Sequence, residues 1–349
     1  MGRGNILPHG RRRVLALTAA VVTLIAAVLG GVVVWQHSYD METRRITIAH
    51  GGHTLRAVLT TPEGGRGRHP LVVMVHGDGP VDATREDGYQ PLWEAYARAG
   101  YATLSWDKPG VNGAPGNWLE QSMDDRADEV AAAIGWARSR PEIDARHIGL
   151  WGASQAGWVM PKVAERTEVA FVIAVAPAIN WLRQGRFHLL AELKDRGAPA
   201  AEAEKEIARS DRVRALLRRG ATHREYLAAM GGADGMTEDR WGFIGRNHTA
   251  DAMDALPALR GVPVLLALGG HDRHVDSADT EAGYRERLEA GGGLTVRHYP
   301  DADHTMVDDS LARSEFRLTV TAVLAPRAVF ADRFLRDQET FLRNLPRPA

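Results

Sequence analysis

The longest apolar run in the chain, Val14–Trp35, carries no charged residue and is dominated by Val, Ala, Leu and Ile. A helix needs about 20 such residues to cross the hydrocarbon core of a bilayer. The run is apolar all round, which argues against a core helix with one polar face. Arg11-Arg12-Arg13 stand directly before it. By the positive-inside rule they hold the N-terminal tip in the cytoplasm and place the rest of the chain outside. Residues 1–36 are therefore expected to form a tip and an uncleaved signal anchor. The alternative is secretion after cleavage of a signal peptide, whose apolar stretch is usually shorter; no convincing A-x-A site precedes Trp35-Gln36-His37.

Beyond a polar linker at His37–Arg44, the pattern changes to short runs of strand period and longer runs of helical period. Arg45–Ala49 and Thr54–Thr60 alternate as strands around a Gly51-Gly52 turn, which predicts a hairpin. Pro70–Val75, Tyr101–Trp106, His147–Trp151 and Val169–Val175 are short apolar runs that suit buried strands. Gln90–Ala99, Ser122–Ser139 and Trp158–Arg166 read as helices between and after them. From about Asn180 to Arg260 charged helical sequence takes over, with helices predicted at Phe187–Arg196, Ala200–Arg219 and His223–Met230. Strands return at Val262–Leu268 and Leu294–Tyr299, separated by a helix at Ser277–Ala290; helices at Ser310–Leu324 and Arg327–Leu345 finish the chain. Strands alternating with helices imply a mostly parallel sheet covered on both faces. The expected organisation is a core in two parts, 37–179 and 261–349, with a helical cap inserted at 180–260.

Composition narrows the chemistry. The 349 residues are 44% hydrophobic and 25% charged, as in a globular protein, and the net charge of −1 offers no field for nucleic acid. There is no cysteine, so disulfides, thiolate nucleophiles and cysteine-held metals are excluded.

One segment gives a mechanism to look for. Gly152-Ala153-Ser154-Gln155-Ala156-Gly157 lies between a strand and a helix. A sharp turn there lifts the Ser154 hydroxyl out of the sheet, and the helix N-terminus offers N–H groups to a developing anion. The last position of the usual G-x-S-x-G is Ala156 here, with Gly157 one step on. Serine needs a base, and the base needs an acid to orient it. Catalytic groups on such sheets gather just past the strand ends. Asp272 follows the strand at Val262–Leu268, and His304 follows Leu294–Tyr299. Asp276, His271 and His298 are their nearest rivals. A glycine-rich turn, His76-Gly77-Asp78-Gly79-Pro80, ends an earlier strand. The backbone N–H groups of Asp78 and Gln155 are the expected oxyanion donors, provided that the Asp78 carboxylate points away from the charge.

Four segments, the His76–Pro80 turn, the turn Trp106-Asp107-Lys108-Pro109-Gly110, the Ser154 elbow and the Asp272 and His304 loops, resemble the α/β-hydrolase superfamily over about Arg45–Leu324, most closely its bacterial esterase and acyl-thioester-hydrolase-like members. The resemblance implies cofactor-free hydrolysis of an ester, thioester or amide in a small acyl substrate, with Asp107 and Lys108 in a structural turn. It does not name the substrate, and oligomeric state stays open. Acyl transfer and peptide cleavage are alternatives on the same fold, as is a non-catalytic binding module. A metal centre lacks ligand spacing, because His271-Asp272-Arg273-His274 matches no known pattern. Trp181, Phe187, Trp241 and Phe243 are expected either to line an acyl pocket under the cap or to form the cap's own core.

Overall fold

A computed structural model describes residues 9–65, 67–233 and 235–346. Helix α1 (His9–Gln36) meets the body near its foot, and no residue of the span Leu17–Gln36 is fully buried. Arg11–Arg13 fall within this helix, and their side chains lie outside the described residues. The hairpin β1 (Met41–His50) and β2 (His53–Pro62) follows, paired antiparallel from Met41↔Pro62 to His50↔His53. Pairing with Pro62 draws Met41–Arg44 into strand, so the linker shrinks to residues 37–40.

The remaining strands are β3 (His69–Val75), β4 (Ala102–Trp106), β5 (Ile143–Ala153), β6 (Val172–Val175), β7 (Val264–Gly269) and β8 (Leu294–Tyr299). They assemble in the order β1-β2-β4-β3-β5-β6-β7-β8, parallel from β4 to β8, with the hairpin antiparallel at one edge. Residues such as Val72, Leu150 and Leu266 are fully buried, as strands covered on both faces require. One face packs on α3 (Met123–Arg138), α4 (Met160–Arg166) and α9 (Ser277–Leu288). The other packs on α2 (Gln90–Arg98) and α12 (Phe334–Asn344). Ser122 caps α3 reciprocally with Asp125, which explains why that helix starts where the sequence indicates. Gln338 of α12 accepts hydrogen bonds from Tyr96 at 2.6 Å and Trp151 at 3.0 Å, so the last helix is fastened to the centre of the sheet.

Between β6 and β7 lie α5 (Trp181–Asp195), α6 (Ala200–Arg218), α7 (His223–Met230) and α8 (Glu238–Asn247). An Asn180↔Asp251 bridge closes their base. Leu216, Leu217, Tyr226 and Trp241 form a small core of their own. Three expectations differ from what is seen. The predicted helix Trp158–Arg166 is preceded by a 3-10 turn, Ser154–Trp158, and is regular only from Met160. The predicted helix Arg327–Leu345 is broken. A 3-10 turn occupies Pro326–Val329, Phe330 is extended, and Arg333 has φ +66° before α12 begins. Upstream of the break, the segment predicted as one helix divides into α10 (Asp309–Ala312) and α11 (Glu315–Leu324).

Candidate active site

Ser154 sits at the end of β5 with φ +56°, a left-handed conformation that costs a non-glycine residue about 1–2 kcal/mol. The turn closes because its neighbours are small. A Cβ on Gly152 would lie 2.6 Å from the Ala156 methyl and 2.7 Å from Met160 Sδ. One on Gly157 would lie 2.6 Å from the Ala178 carbonyl. Ala156 therefore fits where the usual pattern has glycine, because Gly152 leaves room for its methyl group.

Asp272 and His304 come from separate loops brought together by close backbone contact. A Cβ on Gly269 would meet Asp303 O at 2.6 Å, and one on Gly270 would meet Pro300 O at 2.3 Å. Only glycine lets the end of β7 run so near the loop after β8. Asp272 Oδ1 accepts the His274 and Val275 N–H groups, each at 2.8 Å. This fixes the carboxylate so that Oδ2 faces His304 Nδ1 at 2.8 Å. Asp272 is thus both a turn cap and an imidazole partner. On the other side, Asp303 Oδ1 accepts from Thr305 and Val307 N–H and pins the His304 loop. Ser154 and His304 line one cavity of about 250 Å³, with Gly77, Asp78, Trp151 and His274 also in its wall. The rivals fall elsewhere. Asp276 caps α9 through Ala278 and Asp279, His298 pairs with Glu281 at 2.9 Å, and His271 is half exposed beside Asp309.

The glycine turn after β3 lies against the Ser154 turn, since a Cβ on Gly77 would be 3.2 Å from Ala153 O and 3.5 Å from Ser154 Cβ. Lys108 holds this turn by donating to the Gly77 and Gly79 carbonyls at 2.6 and 2.9 Å, and its ammonium rests over the Trp118 ring. Burial, with the Arg126 charge nearby, lowers its pKa well below the ordinary lysine value. Asp107 accepts from Ala83 N–H at 2.8 Å. Both residues sit in the structural turn that the sequence suggests. His76 is buried, and burial with the Lys108 charge lowers its pKa to about 3, so the imidazole is neutral. The Trp106 carbonyl can only accept, so His76 Nε2 donates to it at 2.7 Å and Nδ1 accepts from Tyr89 O–H at 3.2 Å.

The Asp78 carboxylate, in the cavity wall, is held by partners that the sequence did not reveal. Arg240 of α8 donates to both its oxygens, at 3.0 and 2.6 Å, and Gln155 Nε2 donates to Oδ1 at 3.1 Å. Arg126, buried on α3, donates to Gln155 Oε1 and to the His76 carbonyl. Burial works against the Asp78 anion, yet the Arg240 hydrogen bonds and charge outweigh it and keep the carboxyl below its ordinary pKa. The side chains of Asp78 and Gln155 are thus bonded to each other and to one arginine on each side. Three imidazoles also lie in a row, the first two stacked and the third tilted. His188 of α5 lies 4.5 Å from His274, which lies 4.8 Å from His304. Burial and the two flanking histidines lower the His274 pKa.

The aromatic residues of the cap region do not line this cavity. Trp241 belongs to the small cap core. Trp181 stacks on Trp158 at 4.9 Å, and Phe243 lies between Trp181 and Trp118, forming a seam between cap and sheet.

Residues 68–310 match the family described as Serine aminopeptidase, S33. Among curated proteins, the chain is 30% identical over 96 residues to an uncharacterized 31.7 kDa protein of the traX-finO intergenic region in Escherichia coli, covering 28% of this chain and 32% of that protein. It is 32% identical over 111 residues to the quorum-quenching protein AidA of Acinetobacter baumannii (strain MDR-ZJ06), covering 31% of this chain and 35% of that protein. The chain spans about a third of the length of these relatives. In fold it is similar to an esterase of Pyrococcus furiosus (TM-score 0.54, 18% identity, 81% of this chain and 91% of the other). It is also similar to ferulic-acid-bound Est1E of Butyrivibrio proteoclasticus (TM-score 0.52, 16% identity, 85% and 96%). With the family matched over most of its length and the sheet order now described, the chain belongs to the Serine aminopeptidase, S33 family and is an α/β-hydrolase.

Proposed function

We propose that this hydrolase cleaves a carboxylic ester or related acyl bond through an acyl-enzyme on Ser154, with α1 holding the domain at the outer face of a membrane. The observation that carries the reading is the 2.8 Å contact of Asp272 with His304 Nδ1, while His304 and Ser154 face one cavity. The Asp272 contact leaves Nε2 of His304 as the basic nitrogen. Nε2 takes the Ser154 proton as Oγ attacks the carbonyl carbon. The oxyanion forms against the N–H groups of Asp78 and Gln155, and the imidazolium protonates the leaving group. Water, deprotonated by the same nitrogen, then releases the acid and restores Ser154.

Esters and thioesters fit better than the free amino terminus of a peptide. An aminopeptidase meets a substrate ammonium with an unpaired carboxylate. Among the described residues lining the cavity, Asp78 is the acidic one, and Arg240 already neutralises it.

The test uses the full chain in detergent, a fluorophosphonate probe, and a panel of chromogenic esters, thioesters and aminoacyl amides. Label on Ser154 and turnover of esters are expected, with Ser154→Ala losing at least about 1,000-fold in kcat and Asp272→Asn about 10,000-fold. Turnover that survives Ser154→Ala, or wild-type protein that takes no label, overturns the reading.

A further inference from the structure

The foot of α1 is fastened to the body at one place. His37 Nε2 donates to the Val323 carbonyl at 2.8 Å, at the last turn of α11. Arg327 donates to the carbonyls of Gln36 at 2.6 Å and Ser38 at 2.9 Å, and its guanidinium lies over the Tyr39 ring. The last turn of α11 thus stands where the apolar span ends.

Helix α11 has an unusual surface for one outside the core. Phe316 is 78% exposed, and Val320, Val323 and Leu324 are exposed with it. The spacing i, i+4, i+7, i+8 puts all four on one stripe. A contiguous apolar stripe costs solubility unless something apolar covers it. The neighbour already fixed beside it is α1, whose 20-residue span Leu17–Gln36 has the hydropathy of a membrane helix.

A groove of about 490 Å³ adjoins this helix, with Ala322, Pro326, Val329 and Phe330 on its apolar side and His37, Glu86 and Asp87 among its polar wall residues. Arg85, Gly88, Thr305 and Phe330 line both this groove and the cavity that holds Ser154 and His304. Thr305 adjoins His304 in sequence. The two spaces are side by side, and the groove lies between the catalytic cavity and the foot of the span.

We propose that α11 lies on the bilayer with its apolar stripe in the lipid interface, and that the groove passes the acyl chain of a membrane-dissolved ester to Ser154. This rests on the acyl-hydrolase reading above and names its substrate class: amphiphilic long-chain esters taken from the membrane rather than from water. The alkyl chain passes from the lipid at α11 into a groove that Ala322 of the same helix lines, along its apolar side at Pro326, Val329 and Phe330.

The test reconstitutes the full chain in phosphatidylcholine vesicles. Activity is compared on 4-methylumbelliferyl oleate dissolved in the vesicles and on the water-soluble butyrate. The variant is Phe316→Ser with Val320→Ser, two exposed positions outside the catalytic cavity. Loss of the apolar stripe is expected to lower turnover of the vesicle ester about tenfold while the butyrate rate stays within about twofold, which also shows that the variant is folded. Equal effects on both esters, or no effect on either, overturn the proposal. So does a wild-type enzyme that cleaves butyrate but not the vesicle ester, and this outcome leaves the serine-hydrolase reading standing. Failure on both esters with no fluorophosphonate label removes that reading and the present one with it.

Discussion

The Ala156 methyl group fills the space that a side chain at Gly152 would need, 2.6 Å from where its Cβ would stand. Gly152→Ala is therefore expected to destabilise the fold by about 1–3 kcal/mol through overpacking. Adding Ala156→Gly should recover part of that loss, because Met160, the other contact, can move its flexible end. Denaturant unfolding of the two variants checks both expectations. At this scale the positions of Ser154, Asp272 and His304 were legible, because each follows a strand whose apolar run is plain in the sequence. Arg126 and Arg240 were not. Arg126 sits on the buried face of a helix that reads as apolar, and its partner Gln155 is 29 positions away. Arg240 meets Asp78 across 162 positions. Neither pairing leaves a local pattern, since a charge on a helix reads first as solvated surface.

Helix α8 ties the cap to the turn that ends β3. Removing the guanidinium by Arg240→Ala frees the Asp78 carboxylate next to the N–H groups proposed to hold the oxyanion. The expected result is a kcat loss of about 10- to 100-fold with a smaller change in KM, short of losing an oxyanion donor outright. Arg240→Lys should restore part of kcat, because one ammonium can bond one carboxylate oxygen but not both. Steady-state kinetics on a short soluble ester, with thermal unfolding as control, measures this. The sequence reading gives three cap helices and omits α8, since Gly242 and Gly245 lower helix propensity there. The helix forms because Thr237 caps it by accepting Arg240 N–H, and because Phe243 and Trp241 are buried. The break before α12 was equally hidden. The run Arg327–Leu345 keeps a helical period, but Arg333 takes a left-handed conformation and Phe330 extends to pack on Phe334.

For the molecule as a whole, the parallel sheet with an antiparallel hairpin edge follows the sequence closely, because alternation and buried runs fix both. What holds the body against α1 is a polar cluster centred on Glu94 and Arg327, paired at 2.7 Å, with Arg98 on the other side of the carboxylate. Burial would raise the Glu94 pKa, but the Arg327 hydrogen bonds and charge outweigh it and keep it below the ordinary value. A carboxylate so depressed contributes its full stabilisation above the unfolded pKa of about 4.3 and loses it as pH falls through the folded value. Wild-type protein should thus lose Tm more steeply below that pH than Glu94→Gln, which starts lower at neutral pH and follows a flatter curve. Thermal melts from pH 7 to 3 compare the two. The link between α1 and β1 is residues 37–40, a reach of about 14 Å at full extension, and its bonds to Val323 and Arg327 take up even that slack. With α1 in a bilayer, as proposed, a domain on so short a leash would have no bulk volume to explore. Its encounters would become a search in a plane, and its turnover would follow the surface density of substrate rather than its concentration in solution.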